Sequence, residues 1–241
     1  MQVITNTQII ESRSAWAKRL SPAAMLVLLG GFALNMYSFN RPEYTRYVFG
    51  LLLLGFFLAI ASSHLVNRWV KEPRADQVLS TTLKKFGKEF VLFNYTTKLP
   101  HILITPTRVY AIVAKRQTGD ITVKGTKFSR KFSWSRFFKF FAEESMGLPD
   151  AEAENRKIDL TKLLIKNGFS DEELPEIDAI IVFTDKDANL TIIEPTIPVL
   201  RGNELKSYLR DHDKQHNISA QLRSRLIEIF GGKYVTEETT A

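Results

Sequence analysis

The sequence predicts an α/β domain carried on a two-helix membrane hairpin. Three observations predict it. Two apolar runs without a charged residue lie close together near the N-terminus, at residues 23–39 and 47–66. Short runs of strand-forming residues follow from residue 89 onward, punctuated by turn residues. Helical patterns precede, interrupt and close that series, as a mixed sheet with flanking helices requires.

The two apolar runs come first. About 20 helical residues span the hydrocarbon of a bilayer. Residues 47–66 meet that length, and residues 23–39 approach it. Asn40, Arg41, Pro42, Glu43, Tyr44, Thr45 and Arg46 join them as a polar loop. Trp16 precedes the first run at an interfacial position. Arg13, Lys18 and Arg19 flank one end of the pair. Arg68, Lys71, Arg74, Lys84, Lys85 and Lys88 follow the other. The positive-inside rule then places both ends in the cytoplasm, although Arg41 and Arg46 in the loop oppose it. Residues 1–22 read as a polar cytoplasmic segment ahead of the hairpin.

Pro73 marks the exit from the hairpin. Residues 75–86 form an amphipathic helix with Val78, Leu79, Leu83 and Phe86 on one face and Asp76 near its start. Residues 89–94 form a strand. Residues 99–121 read as a strand, a turn at Thr105-Pro106-Thr107-Arg108, a second strand ending at Lys115, and the start of a third. Residues 149–167 form a helix, acidic at its start and closed by Asn167-Gly168. Residues 177–184 are a buried strand, and residues 190–194 another. Helices follow at residues 203–210 and 219–230, and the tail after Gly232 reads as disordered.

Charge is unevenly placed. The 241 residues carry a net charge of +7. Residues 1–142 hold 21 Lys/Arg against 6 Asp/Glu, whereas residues 143–194 hold 5 against 14. A basic front half beside an apolar hairpin points to an anionic partner, phospholipid or nucleic acid. Lys124, Lys127, Arg130, Lys131, Arg136 and Lys139 alternate with Phe128, Trp134 and further phenylalanines. Cations beside rings suit a lipid headgroup surface. They equally suit single-stranded nucleic acid, or a strand whose rings enter the core. The absence of cysteine excludes disulfides and thiolate metal sites. No Gly-rich phosphate loop, Ser/His/Asp set or zinc spacing is present.

Four places give the chain a resemblance to the nuclease-related domain family, NERD, over residues 74–211. Asp76-Gln77-Val78 resembles the family's early acidic helix. Residues 99–121 resemble its central hairpin. Trp134, followed by Leu148-Pro149-Asp150-Ala151-Glu152, resembles its Trp and helix start. Residues 177–192 with 197–210 resemble its late strand, hairpin and closing helix. The resemblance implies a restriction-endonuclease-like fold, and residues 212–241 read as a C-terminal helix and tail beyond it. It also implies a site where carboxylates hold Mg²⁺ beside a lysine. Lys115 matches that lysine, and Asp76 and Glu152 match outer carboxylates. Pro100 and Val113 stand where the two central ligands belong, and neither side chain ligates a hard cation. Two readings follow. The first is a membrane-anchored domain without catalysis or cofactor, which binds nucleic acid, an anionic membrane surface or a protein. The second is a Mg²⁺-dependent nuclease whose site is rebuilt from Asp76, Asp120, Lys115 and Glu152.

Overall fold

The computed structural model describes residues 1–131, 145–213 and 218–234. The chain divides into two units. One contains Met1–Asn6, Ala75–Lys131 and Met146–Ala241, and the other is built on Thr7–Arg74.

The second unit is a helical hairpin. Helix α1 (Thr7–Ser38) leads through a 3-10 turn at Pro42–Tyr44 into α2 (Thr45–Trp69). Both helices are long and apolar enough to cross a membrane. Their buried residues recur every seventh position. On α1 these are Ile10, Ala17, Ala24, Gly31 and Ser38, and on α2 Val48, Gly55, Ser62 and Trp69. Seven residues are close to two helical turns, so each set forms one stripe along its helix. Most of these residues are small, which lets two backbones approach closely. A Cβ on Gly31 would lie 2.8 Å from Leu52 Cδ2, and one on Gly55 would lie 2.7 Å from Leu28 Cδ2. These two contacts share one antiparallel register. Extended along both helices, it sets residues 20–39 against residues 44–63. The expected first span at residues 23–39 is thus part of a helix that begins at Thr7 and carries Pro22 inside it. The bulky side chains Met25, Leu26, Phe32, Met36, Phe49 and Phe57 point outward and are exposed.

The first unit is built on two sheets. Strand β1 (Gln2–Thr5) precedes the hairpin, and α3 (Ala75–Leu83) follows it. Then come β2 (Val91–Asn94), β3 (His101–Ile104), β4 (Val109–Lys115), β5 (Gly119–Lys124) and β6 (Lys127–Arg130). Helix α4 (Pro149–Lys166) leads to β7 (Ile177–Phe183), β8 (Ala188–Ile193) and β9 (Val199–Arg201). Helices α5 (Leu205–His212) and α6 (Ala220–Gly231) close the described chain. The larger sheet has the order β1-β2-β3-β4-β7-β9, and the smaller has β6-β5-β8. Strand β2 is antiparallel to β3, and β3 to β4; the pairs β1/β2, β4/β7 and β7/β9 are parallel.

Period-two alternation divides the larger sheet into two faces. Val109, Ala111 and Val113 of β4 face α4, packing with Ala153, Leu160 and Leu164. Tyr110 and Ile112 face the other way, packing with Leu79 and Leu83 of α3 and Leu205 and Leu209 of α5. Strands β4 and β7 are apolar on both faces because helices cover both. Helix α4 begins with Pro149 and the acids Asp150 and Glu152, and ends on Lys166. Each is placed as the helix dipole and the orphan N–H groups favour. Gly168 then leaves the helix at φ 84°. Ser219 caps α6, its Oγ accepting from Leu222 N–H at 3.1 Å.

Two expected boundaries are corrected. Residues 1–22 are not a separate polar segment. Gln2, Val3, Ile4 and Thr5 pair with β2 at the edge of the domain sheet, and Ile4 is wholly buried. Residues 212–241 are not separate from the domain either. Leu226 and Phe230 of α6 enter the core, with Phe230 edge-on to Phe93 at 5.7 Å. Residues 119–130 fold with β8 into the smaller sheet. In each case a few apolar side chains gain burial through contacts far away in sequence.

Candidate functional site

The strand directions bring several polar residues to one end of the larger sheet. Asn94 ends β2, His101 begins β3, Lys115 ends β4, and Thr184 follows β7. All but Lys115 are classed as buried, and Lys115 is nearly so, with 11% of its side chain exposed. The carboxyl ends of adjacent parallel strands, here β4 and β7, are where open α/β sheets place their ligand sites.

Lys115 is the centre of this end. Its Nζ donates to Glu152 Oε2 at 2.7 Å and to the Met146 carbonyl at 3.2 Å. Glu152 sits in the first turn of α4, and its other oxygen accepts from Arg156 at 3.0 Å. Burial pushes the Glu152 carboxyl up, but the bonds and charges of Lys115 and Arg156 outweigh it and hold it below the ordinary value. Thr184 fixes the backbone beneath the lysine. Its N–H donates to the Lys115 carbonyl at 2.8 Å and its hydroxyl to the same oxygen at 3.2 Å. Both ends of the lysine are therefore held.

Pro100 and Val113, the positions that the resemblance aligns with central ligands, lie on this same face. Val113 precedes Lys115 by two residues and so shares its side of β4. The β3–β4 register, extended two residues past Ile102 and Ala111, sets Pro100 opposite Val113. Val113 is 2% exposed and packs in a cluster with Ala153, Ile181 and Phe183. A carboxylate there would be desolvated at high cost without a cation to meet it.

A second polar chain runs beside it. Asn94 Nδ2 donates to Thr5 Oγ1 at 3.2 Å, which leaves Asn94 Oδ1 to accept from His101 Nδ1 at 2.8 Å. The His101 ring also meets Tyr95 edge-on at 5.0 Å. Tyr95 holds φ 59°, a left-handed conformation costly for a bulky side chain. Its carbonyl accepts from Asn6 Nδ2 at 3.1 Å. His101 is thus tied to the end of β1 through Asn94.

The other two expected carboxylates sit on other elements. Asp76 is buried at the start of α3, the helix on the opposite face from α4. Asp120 belongs to the smaller sheet, is exposed, and accepts from Asn189 Nδ2 at 3.2 Å. Among the described residues no three His, Asp or Glu side chains gather as a metal-binding group. The structure therefore brings Glu152 to Lys115, and among the described residues neither Asp76 nor Asp120 forms an ion pair with that lysine.

Of the basic–aromatic segment, Lys124, Lys127 and Lys131 are exposed. Pairing of Thr122 with Ser129 and of Lys124 with Lys127 sets these residues on the open face of the small sheet. Arg130 is half-buried and donates to Thr118 Oγ1 at 3.4 Å. Phe128 turns inward against Val123 and its neighbours, so this ring serves the core. Trp134, Arg136 and Lys139 lie outside the described residues.

Arg156, Thr184, Asn94 and Thr5 were missed in the sequence. The spacing of Glu152 and Arg156 is a helical i,i+4 pair, a signal that was present. The other three carry no local signal, because only strand register brings them to the site. No family model matches the chain, and neither a curated protein nor a solved structure matches it.

Proposed function

We propose that this chain is a two-pass membrane protein whose domain has a degenerate nuclease-like site and works by binding instead of cleavage. The observation that carries this reading is the commitment of Lys115. Glu152 is the one carboxylate at its Nζ among the described residues, and Val113 beside it belongs to the apolar core. A nuclease lysine of this kind would stand beside a metal-bound phosphate. Here it closes an ion pair between a strand end and a helix start. The order α3-β2-β3-β4-β5-β6-α4-β7, with β4 and β7 as parallel neighbours, supports the restriction-endonuclease-like comparison.

The hairpin supplies the anchor. It leaves the domain after β1 and returns to it at α3, so a spanning hairpin comes back to the side it left. The basic flanks favour the cytoplasm for that side. The partner favoured by composition is an anionic surface next to the anchor, met by Lys124, Lys127 and Lys131 of the open sheet face. A polynucleotide would use the same charges.

The test uses the full-length protein in lipid nanodiscs. Single- and double-stranded DNA and RNA are incubated with Mg²⁺ and Mn²⁺. No cleavage is expected, and Lys115→Ala is expected to change nothing. Metal-dependent cleavage lost in Lys115→Ala would overturn the reading. Salt-dependent retention of polynucleotide, against retention of anionic vesicles, then separates the two kinds of partner.

A further inference from the structure

The turn of the hairpin holds a cluster with no structural need for its charges. Tyr37 lies in the last turn of α1, Tyr44 in the loop, and Tyr47 in the first turn of α2. Tyr44 stands between the other two, with ring centroids 5.6 Å from Tyr37 and 6.3 Å from Tyr47. The Arg41 guanidinium lies over the Tyr37 ring at 5.8 Å, and that of Arg46 over the Tyr47 ring at 4.8 Å. Arg46 also donates to Tyr47 Oη at 3.0 Å.

Neither arginine is neutralised. Glu43 lies between them in sequence, yet among the described residues it pairs with neither, and neither pairs with another acid. Both guanidiniums, Tyr37 and Tyr47 are exposed. Two ring-supported forks of N–H donors are therefore presented outward and unanswered. A guanidinium matches a phosphate in shape and charge.

The helix register sets their depth. Residues 20–39 lie against residues 44–63, and each stretch spans about 30 Å. Trp16, Lys18 and Arg19 then mark one boundary of the apolar slab. Tyr37, Tyr44, Tyr47, Arg41 and Arg46 mark the other, beside the exposed Phe39 and Phe49. This is the level of the lipid phosphates, where tyrosines collect.

We propose that Arg41 and Arg46, held on Tyr37 and Tyr47, form a binding site for the phosphate of a phospholipid in the leaflet at the hairpin turn. The proposal rests on the membrane-spanning reading above. It also accounts for two arginines in a loop where the positive-inside rule disfavours them. The acyl chains lie along the exposed aromatic and aliphatic flank, and the phosphate diester meets the two forks.

The test is lipid retention by the full-length protein, purified in detergent, stripped of lipid and read by native mass spectrometry. The probes are dioleoyl phosphatidylglycerol, dioleoyl phosphatidylcholine and dioleoylglycerol, which lacks phosphate. Both phospholipids are expected to be retained and dioleoylglycerol not. Arg41→Gln and Arg46→Gln are each expected to weaken retention about fivefold, with unchanged helix content by circular dichroism. Glu43→Gln is expected to retain phospholipid at least as well as the parent. Equal retention of dioleoylglycerol, or full retention by the double Arg→Gln variant, would overturn the proposal. So would binding of inorganic phosphate as tight as that of phospholipid, since the acyl chains would then play no part. Carbonate extraction of cell membranes tests the underlying reading separately. If the parent is released by carbonate, the membrane reading fails and this site fails with it. If it stays in the membrane while retention ignores the arginines, only the site fails.

Discussion

Lys115 Nζ lies 2.7 Å from Glu152 Oε2, joining the end of β4 to the first turn of α4. Two elements distant in sequence are thereby pinned at the one end of the sheet where a catalytic site is expected. The pair has a structural consequence that mutation can read.

Glu152→Gln leaves Lys115 without its counter-charge while 11% of its side chain is exposed. The expected cost is about 1–3 kcal/mol. Lys115→Met in the Glu152→Gln background is expected to recover part of that loss, because the buried charge is then gone. Denaturant unfolding of the four species in detergent measures the coupling. Additive losses would mean that the ion pair carries no coupling energy.

Glu152 also sets an acid limit. Its folded carboxyl is held below the ordinary value of 4.5. The unfolded chain therefore takes up this proton first as pH falls. The stabilisation is present above the ordinary value and is lost as pH drops through the lower, folded one. Glu152→Gln is expected to flatten that part of the stability–pH curve.

Asp213 has the opposite sign. Burial raises its carboxyl above 3.8, against the lowering effect of the Thr105 hydroxyl and the Arg108 charge. Thr105 and Thr107 both donate to Oδ1, and the buried Tyr110 hydroxyl also lowers the carboxyl. Here the charged form is disfavoured by folding. The penalty is complete above the raised folded value and fades as pH falls from there toward the ordinary one. Asp213→Asn is expected to raise the melting temperature at pH 7 and to have little effect at pH 4. A lower melting temperature at pH 7 would show that the threonine bonds require the charge.

The hairpin seam makes a sharper demand. Gly31→Leu and Gly55→Leu push a side chain into Leu52 and Leu28, and backbone nitrogen lies 3.4 and 3.2 Å behind. Each is expected to cost about 1–3 kcal/mol of hairpin stability. Gly50→Leu is the control, since a Cβ there meets nothing within 4 Å. Thermal unfolding in detergent, with trypsin cleavage of the loop as a second readout, ranks the three.

Strand β1 predicts a failure of truncation. Ile4 is wholly buried in the core with Val91, Phe93 and Phe230. Ile4→Ala is expected to cost about 2–5 kcal/mol. A fragment of residues 74–241 lacks β1, bares the edge of β2, and is expected to aggregate. A soluble monomeric fragment with native-like unfolding would show β1 to be dispensable.

Much of this architecture could be read before any coordinates. The hairpin follows from two uncharged apolar runs. The β3–β4 pair follows from apolar runs around Thr105 and Arg108, and α4 from Pro149, its early acids and Gly168. The shared face of Val113 and Lys115 follows from the period of a strand alone. Strand β1 could not be read in this way. Four residues are too few to display a period, and their partner lies almost ninety positions later.

The sequence by itself determined most of the elements, β1 excepted, and put side chains that cannot hold a hard cation at Pro100 and Val113. Hydrophobic period, caps and turn residues act within a few positions, so they leave a local trace. Only the tertiary structure decided which carboxylate meets Lys115. Glu152 and Asp76 were equal candidates in one dimension. Their helices lie on opposite faces of the sheet, α4 on that of Val113 and α3 on that of Tyr110, and only Glu152 pairs with the lysine. That choice arises from the summed burial of leucines on two helices, a property of no single residue or motif.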